Sequence, residues 1–243
     1  MVFPYVGSGP YCYANSAAML MGVAAPEPSA IEVLTGSPFG LSLHEGLAYF
    51  DPLGWNPEIG LDTALDLLGW TCERVAGGSA ADAVRRLRDA GGPVLAGPVE
   101  IGLLRHHPGS GTPVESDHFV VVIGAEDGHV HFHDPHGYPF STLPVAEFTA
   151  AWESVSFAYP AVPFTMRSDF RRVRAVDVPD ALRASLPAAR QWLAPAGEMP
   201  AAAALRFADL VEDGLTPGQE APRPFRRAGG RAPIGRRRAL GAR

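Results

Sequence analysis

Residues 116–139 read SDHFVVVIGAEDGHVHFHDPHGYP, and this stretch decides the fold class. The apolar, β-branched run at 118–124 and the alternating run at 129–133 predict two strands, and the EDG between them predicts a tight turn. The two strands should therefore form an antiparallel hairpin. Folding it about residue 126 places His118 directly opposite Asp134, with about 5 Å between their Cβ atoms.

The elements on either side predict an α+β domain with its helices first and its antiparallel strands later. Apolar spacing predicts helices at 12–21, 61–69 and 79–90, the last one capped by Ser79 and Asp82. A strand should begin at Pro93, and 105–116 should be a polar loop. A short helix at 143–152 and a last strand at 155–159 should complete the domain.

We expect three regions along the 243 residues. A domain at 1–165, papain-like by the resemblance given below, should carry the function. A helical C-terminal extension at 166–215 should follow, with helices near 180–194 and 200–213. The Pro/Gly/Arg-rich tail at 216–243 has almost no large apolar residues, and such composition is typical of disorder.

Charge and composition restrict the class of function. The chain has no Lys, and eight of its 20 Arg lie in residues 221–243, which contain no acidic residue. Residues 1–220 thus hold 12 Arg against 26 acidic residues, a net charge of −14. An acidic body argues against nucleic-acid binding. No apolar run approaches the ~18 residues of a membrane span, and the N-terminus lacks secretory-signal features, so we expect a cytoplasmic protein without membrane contact.

Cys12 is the first candidate for chemistry. Two cysteines in a chain of this length do not make a disulfide framework. Cys12 lies where a Gly/Pro-rich loop enters a predicted helix, and the positive end of the helix dipole favours thiolate over thiol. The unpaired N–H groups there could also stabilise an oxyanion. The alternative is a small buried residue that merely begins a helix.

His118 and Asp134 are the second and third candidates. A carboxylate beside an imidazole accepts its N–H, fixes its tautomer and supports its charged form. Taken singly, His118 could be a surface histidine at a strand end, and Asp134 could be a turn former before Pro135. Together with Cys12 they form the set that thiol catalysis requires.

At these residues the sequence resembles a known family. The segments GPYCYANSAAM, SDHFVVVIG and HFHDPHGYP are similar to the Cys/His/Asp pattern of papain-like enzymes. They most resemble the bacteriocin-processing (double-glycine) peptidases and the N-terminal domain of the butirosin biosynthesis acyltransferase. The resemblance covers about residues 5–160. It implies a papain-like fold, no cofactor, and a peptide or acyl-thioester substrate, free or held on a carrier protein.

Within that resemblance Cys12 would attack the acyl carbonyl, His118 would shuttle the proton and Asp134 would orient His118. Peptidases of this kind usually have a Gln about six residues before the Cys, whereas this chain has Val6. Ser8 or a nearby Tyr could replace it as the oxyanion donor. Hydrolysis and acyl transfer both remain open, as does the oligomeric state.

Two other classes of function compete with the thiol enzyme. One is a binding module that keeps the fold without catalysis. The other is a metal-binding protein built on His129, His131 and His133, which alternate on one strand face with His136 close behind. Three such ligands lie about 6–7 Å apart, too far to share one ion unaided, so we expect a solvated face and no metal. Cys72 has no candidate partner and should be a structural thiol.

Overall fold

The computed structural model describes residues 3–7, 11–44, 47–194 and 199–214. The expected Arg-rich tail therefore lies outside the described residues. The helices are α1 Cys12–Met21, α2 Pro28–Thr35, α3 Pro57–Leu68, α4 Ala80–Asp89, α5 Val145–Glu153, α6 Val178–Leu193 and α7 Pro200–Glu212. The strands are β1 Ser42–His44, β2 Leu47–Tyr49, β3 Trp70–Val75, β4 Val94–Glu100, β5 Asp117–Glu126, β6 His129–Asp134, β7 Tyr138–Pro144 and β8 Met166–Arg172.

The helix boundaries follow from local chemistry. Ser79 and Asp82 form the predicted capping box at the start of α4, each side chain bonding the backbone N–H of the other. The side chain of Asn56 caps α3 by accepting a hydrogen bond from the N–H of Ile59 at 3.0 Å. Helix α1 ends at Gly22, whose φ of 65° is a conformation that glycine adopts at little cost.

An antiparallel sheet of six strands forms the centre, in the order β3-β8-β4-β5-β6-β7. All seven residues of β4 are buried, because this strand has a neighbour on each side and helices over both faces. The α+β prediction is thus confirmed. Strands β1 and β2 form a separate two-stranded sheet.

The two faces of the sheet bury two separate cores. On one face, α1, α2, α3 and α6 pack with Leu95 and Phe119. On the other, α4 and α5 pack with alternate residues of the same strands, such as Ala96 and Val120. Helix α1 lies directly against β5, and the Ser16 hydroxyl donates to the carbonyl of Phe119 at 3.3 Å. The helix that begins at Cys12 is therefore fixed to the strand that carries His118.

One sequence prediction about the strands was wrong, and two strands of the six-stranded sheet were missed. Residues 155–159 form no strand, and Pro160 and Pro163, which have no N–H to donate, follow closely. The strand in that part of the chain is β8, which lies between β3 and β4. Strand β7 was not predicted at all.

The sheet therefore extends beyond residue 165, where we expected the first region to end, because β8 runs from Met166 to Arg172. The helices expected in the extension are present as α6 and α7. The division of the chain into functional regions stays a prediction.

Among the described residues, no helix is both long and apolar enough to cross a membrane.

Candidate active site

Cys12 is the first residue of α1, as predicted, and its side chain is partly exposed. The preceding residue, Tyr11, adopts a left-handed conformation with φ 70° and provides no side-chain cap. The chain thus turns sharply into the helix, and the thiol lies at the end where backbone N–H groups point outward. Helix α1 is otherwise buried over most of its length, which holds this end in place.

His118 lies near the start of β5 and is 4% exposed. Its Nε2–H donates to Asp134 Oδ1 at 2.7 Å. The imidazole also interacts with the Cys12 thiol. Since Nε2 is taken by the carboxylate, Nδ1 is the nitrogen left for the thiol. The structure therefore brings the three predicted residues together.

The predicted hairpin register was wrong, although the predicted contact exists. Asp127 and Gly128 form the turn with positive φ, so Glu126 pairs with His129, and a bulge at Ile123 shifts the register once more. Val121 then lies opposite His133. Continuing this register makes His118 and Asp134 diagonal neighbours on one face, a separation that long side chains can bridge.

Asp134 is fully buried, and its carboxylate accepts four hydrogen bonds. Oδ1 accepts from His118 Nε2 and from the backbone N–H of His136, and Oδ2 accepts from His106 Nε2 and His107 Nε2, each at 2.7 Å. Burial opposes the charged form of this carboxylate, but His118 and the hydrogen-bond donors outweigh it. The pKa of Asp134 is therefore held far below its usual range.

The charge on Asp134 in turn sets the protonation of His118. Burial alone would lower the pKa of His118, but the Asp134 carboxylate and the Cys12 thiol raise it well above the ordinary 6.5. The arrangement thus favours the imidazolium form of His118, which holds a proton that it can give to a leaving group.

His106 and His107 were missed in the sequence. They lie in the loop expected to be polar, yet their side chains are only 11% and 12% exposed. The rings of both pack edge-on against Tyr138, with centroids 5.2 and 4.8 Å away. The available signal was a His-His pair in a loop just before the strand of a candidate base. Together with Asp134 these two side chains could hold a metal ion.

The expectation of a solvated face at His129, His131 and His133 was wrong for His133. That residue is fully buried; its Nε2–H donates to the carbonyl of Phe3, and its Nδ1 accepts from the N–H of Phe140. With both nitrogens engaged, His133 holds the N-terminal segment against the sheet. Among the described residues, the ligand atoms of His129, His131 and His133 do not come close enough together to hold one ion.

Tyr5 fixes the same N-terminal segment closer to the site. Its hydroxyl donates to the backbone carbonyl of Asp134 at 3.0 Å and accepts from the N–H of Gly137 at 3.0 Å. This tyrosine therefore braces the turn after β6. Ser8, the other residue considered as an oxyanion donor, lies outside the described residues.

Acidic side chains cluster near Cys12 and His118. Tyr13 donates to Glu32 at 2.6 Å and Tyr159 donates to Asp117 at 2.9 Å. Glu32 is 3% exposed, and burial raises its pKa to about 7. Burial also raises the pKa of Asp117. The surroundings of the thiol therefore contain carboxyl groups that hold protons more readily than usual.

Cys72 lies in β3, away from the histidines. Its sulfur accepts from Arg167 at 3.7 Å, and burial raises its pKa. This environment is that of a structural thiol, in keeping with the expectation from the sequence.

Comparison with known proteins shows similarity in sequence to a curated protein. No family model matches the chain. The uncharacterized protein YobF of Bacillus subtilis strain 168 is 32% identical over 161 residues, which are 64% of this chain and 52% of YobF. The chain therefore spans about half the length of this curated relative.

Two solved structures are similar to the chain at a distance. One is the peptidase domain of Streptococcus ComA, a bifunctional ABC transporter involved in quorum sensing. It is 10% identical in sequence, the match covers 68% of this chain and 96% of that chain, and the TM-score is 0.44. The other, from Bacillus anthracis, is described as a C39-like peptidase, with 16% identity, 71% and 96% covered, and a TM-score of 0.46. Both neighbours are described as peptidases, but at these TM-scores the likeness does not bear on the function of this chain.

Proposed function

We propose that the chain is a papain-like thiol enzyme of acyl chemistry, with Cys12 as nucleophile, His118 as proton carrier and Asp134 as the orienting residue. One observation carries the proposal: His118 lies between a thiol at a helix start and a buried carboxylate. Its Nε2–H is fixed on Asp134 at 2.7 Å, which directs Nδ1 to the thiol.

The reaction follows from these positions. The Cys12 thiolate attacks the carbonyl carbon, and the negative charge that develops on oxygen meets the N–H groups at the start of α1. His118 gives its Nδ1 proton to the leaving amine or thiol, and an acyl thioester remains on Cys12. Water or an amine then attacks this thioester, and His118 takes a proton from the attacking water or amine. The thiolate leaves and the enzyme is restored.

Hydrolysis and transfer both fit this scheme. Peptide cleavage demands strong oxyanion stabilisation, yet Val6 stands where related peptidases have Gln, and the Tyr5 hydroxyl already bonds Asp134 and Gly137. A thioester substrate is more reactive and needs less help. The substrate class is therefore a peptide or an acyl thioester, free or on a carrier protein.

Covalent trapping tests the proposal without knowledge of the natural substrate. A p-nitrophenyl ester or a simple acyl thioester should leave one acyl group on Cys12, seen by intact mass and located by peptide mapping. Cys12→Ala and His118→Ala should both abolish the adduct, since the two residues act as a unit. Cys72→Ala is the matched control and should label like the wild type.

Alkylation provides a second, substrate-independent measurement. Iodoacetamide near neutral pH should modify Cys12 much faster than Cys72, because Cys72 is half-buried beside Arg167 with its pKa raised by burial. Equal and slow modification of both thiols in the folded protein would contradict the nucleophile assignment.

A non-catalytic binding module is the second candidate function. The departure at Val6 is the observation in its favour, because a site without a side-chain oxyanion donor could hold a peptide without cleaving it. This candidate predicts that no acyl adduct forms with any ester, thioester or peptide, although Cys12 still alkylates. An adduct lost in Cys12→Ala rejects it.

A further inference from the structure

His106 and His107 have no assigned part in the thiol chemistry, yet both side chains converge on one carboxylate oxygen. Both Nε2 atoms lie 2.7 Å from the same oxygen, Asp134 Oδ2. The ligand atoms of the three residues lie within 4.8 Å of one another. They come from two separate segments of the chain, the loop before β5 and the end of β6.

The chemistry of this group suits a transition-metal ion. Two imidazole nitrogens and one carboxylate oxygen are ligands that Zn²⁺ and its first-row neighbours prefer. In a tetrahedral zinc site with bonds of about 2.0–2.2 Å, ligand atoms lie roughly 3.3 Å apart. The histidine nitrogens would have to withdraw from Oδ2 by only about half an ångström to admit an ion. Three protein ligands leave a fourth position for water.

A second observation concerns the other nitrogen of His106. Its Nδ1 is buried and has no hydrogen-bond partner within the described part of the chain. A buried imidazole with a purely structural role normally uses both nitrogens, as His133 does. Among the described residues no hydrogen bond at Nδ1 holds His106 in one tautomer. The ring can therefore carry its proton on Nδ1 and turn the Nε2 lone pair to a metal.

Packing already positions the two rings for shared ligation. The His106 and His107 centroids are 4.4 Å apart, and Tyr138 lies against both. Phe132 contacts His106 from the core side at 5.1 Å. Since aromatic rings hold both imidazoles, the binding of an ion requires little loss of side-chain entropy.

We propose that His106, His107 and Asp134 form a binding site for a divalent first-row transition ion, with the two Nε2 atoms and Asp134 Oδ2 as its ligands.

Metal binding is tested first by itself, in the full-length chain with Zn²⁺ as the probe. Isothermal titration and native mass spectrometry should show one zinc per chain. His106→Ala and His107→Ala should each weaken the affinity at least about tenfold. The matched controls are His129→Ala and His131→Ala, at the far end of β6 from Asp134, and these should bind like the wild type.

Two further variants keep the test decisive. His106→Gln retains an N–H that can reach Asp134, so it protects the fold while it removes the imidazole ligand; it should fold and still bind zinc weakly. Cys12→Ser should bind zinc like the wild type. If Cys12→Ser abolishes binding, or if no variant at 106 or 107 changes the affinity, the ion lies elsewhere and the proposal is overturned. Absence of saturable binding of one zinc overturns it as well.

Discussion

Glu32 offers a sharp test of the electrostatics next to the thiol helix. This residue of α2 is 3% exposed; its Oε1 accepts the Tyr13 hydroxyl at 2.6 Å and its Oε2 has no partner among the described residues. Burial raises its pKa, the hydrogen bonds from Tyr13 and Ser37 lower it, and the nearby Asp51 raises it, with a net rise from 4.5 to about 7. We predict that Glu32→Gln removes a pH-dependent loss of stability.

The magnitude follows from the two pKa values. Each tenfold change in proton affinity is about 1.4 kcal/mol, so a rise from 4.5 to about 7 corresponds to about 3 kcal/mol. Because the pKa is raised on folding, the folded state keeps the proton that the unfolded state loses. This stabilisation is fully present below pH 4.5 and is lost as the pH rises to about 7 and beyond.

Urea unfolding of the wild type and Glu32→Gln between pH 4.5 and 8 measures the effect. The Gln variant should gain about 3 kcal/mol relative to the wild type across this range, or about 6–12 °C in Tm for a chain of this size. Glu27→Gln, at an exposed position just before α2, is the matched control and should give no such gain. Parallel stability curves for the wild type and Glu32→Gln would show that the carboxyl is charged throughout, and would refute the reasoning.

The remaining predictions concern the fold and the site. Arg167→Ala should lower the free energy of unfolding by about 1–3 kcal/mol in urea, because Arg167 is 1% exposed and its loss breaks the buried pair with Glu58 at 2.8 Å, although Arg74 still pairs with Glu58; an unchanged free energy of unfolding would mean that water replaces the pair. Ser79→Ala should cost about 1 kcal/mol through loss of the capping box, read from the same unfolding curves, and an unchanged midpoint would contradict it. Asp134→Asn should still acylate Cys12, at a rate reduced by up to about 10⁴-fold in the trapping assay, and an undiminished rate would remove Asp134 from the mechanism. Removal of residues 216–243 should leave that rate unchanged, and a slower rate would assign the tail a part in catalysis.

Local patterns in the sequence predicted most of the helices and the central strands. The capping box at Ser79, the stop at Gly22 and the run of β-branched residues in β5 are short-range signals, and each produced the expected element. The strand β8 lacks such a signal, because MRSDFRR is half charged and is held in the sheet by neighbours far away in the chain. Pairing across such distances cannot be read from local propensity.

The candidate site was predictable only in part for the same reason. The proximity of Asp134 to His118 followed from the local geometry of one hairpin, and the position of Cys12 at a helix start followed from its local sequence. The approach of Cys12 to His118 depends on the packing of α1 against β5. The hairpin register was wrong because the turn is centred on Asp127 and Gly128 and not on residue 126, and the bulge at Ile123 then shifts the pairing by one more residue. His106 and His107 reach Asp134 from a loop, whose path depends on the tertiary structure.

The position of β8 also affects how the chain can fold during its synthesis. Strands β3 and β4 do not pair with each other, since β8 lies between them and arrives about 70 residues after β4 begins. A nascent chain that has emerged only as far as residue 165 already contains Cys12, His118 and Asp134, but its sheet has a gap with two unpaired edges. Such edges invite pairing with other chains. Residues 166–172 must therefore emerge from the ribosome before β8 can join β3 and β4 into one sheet.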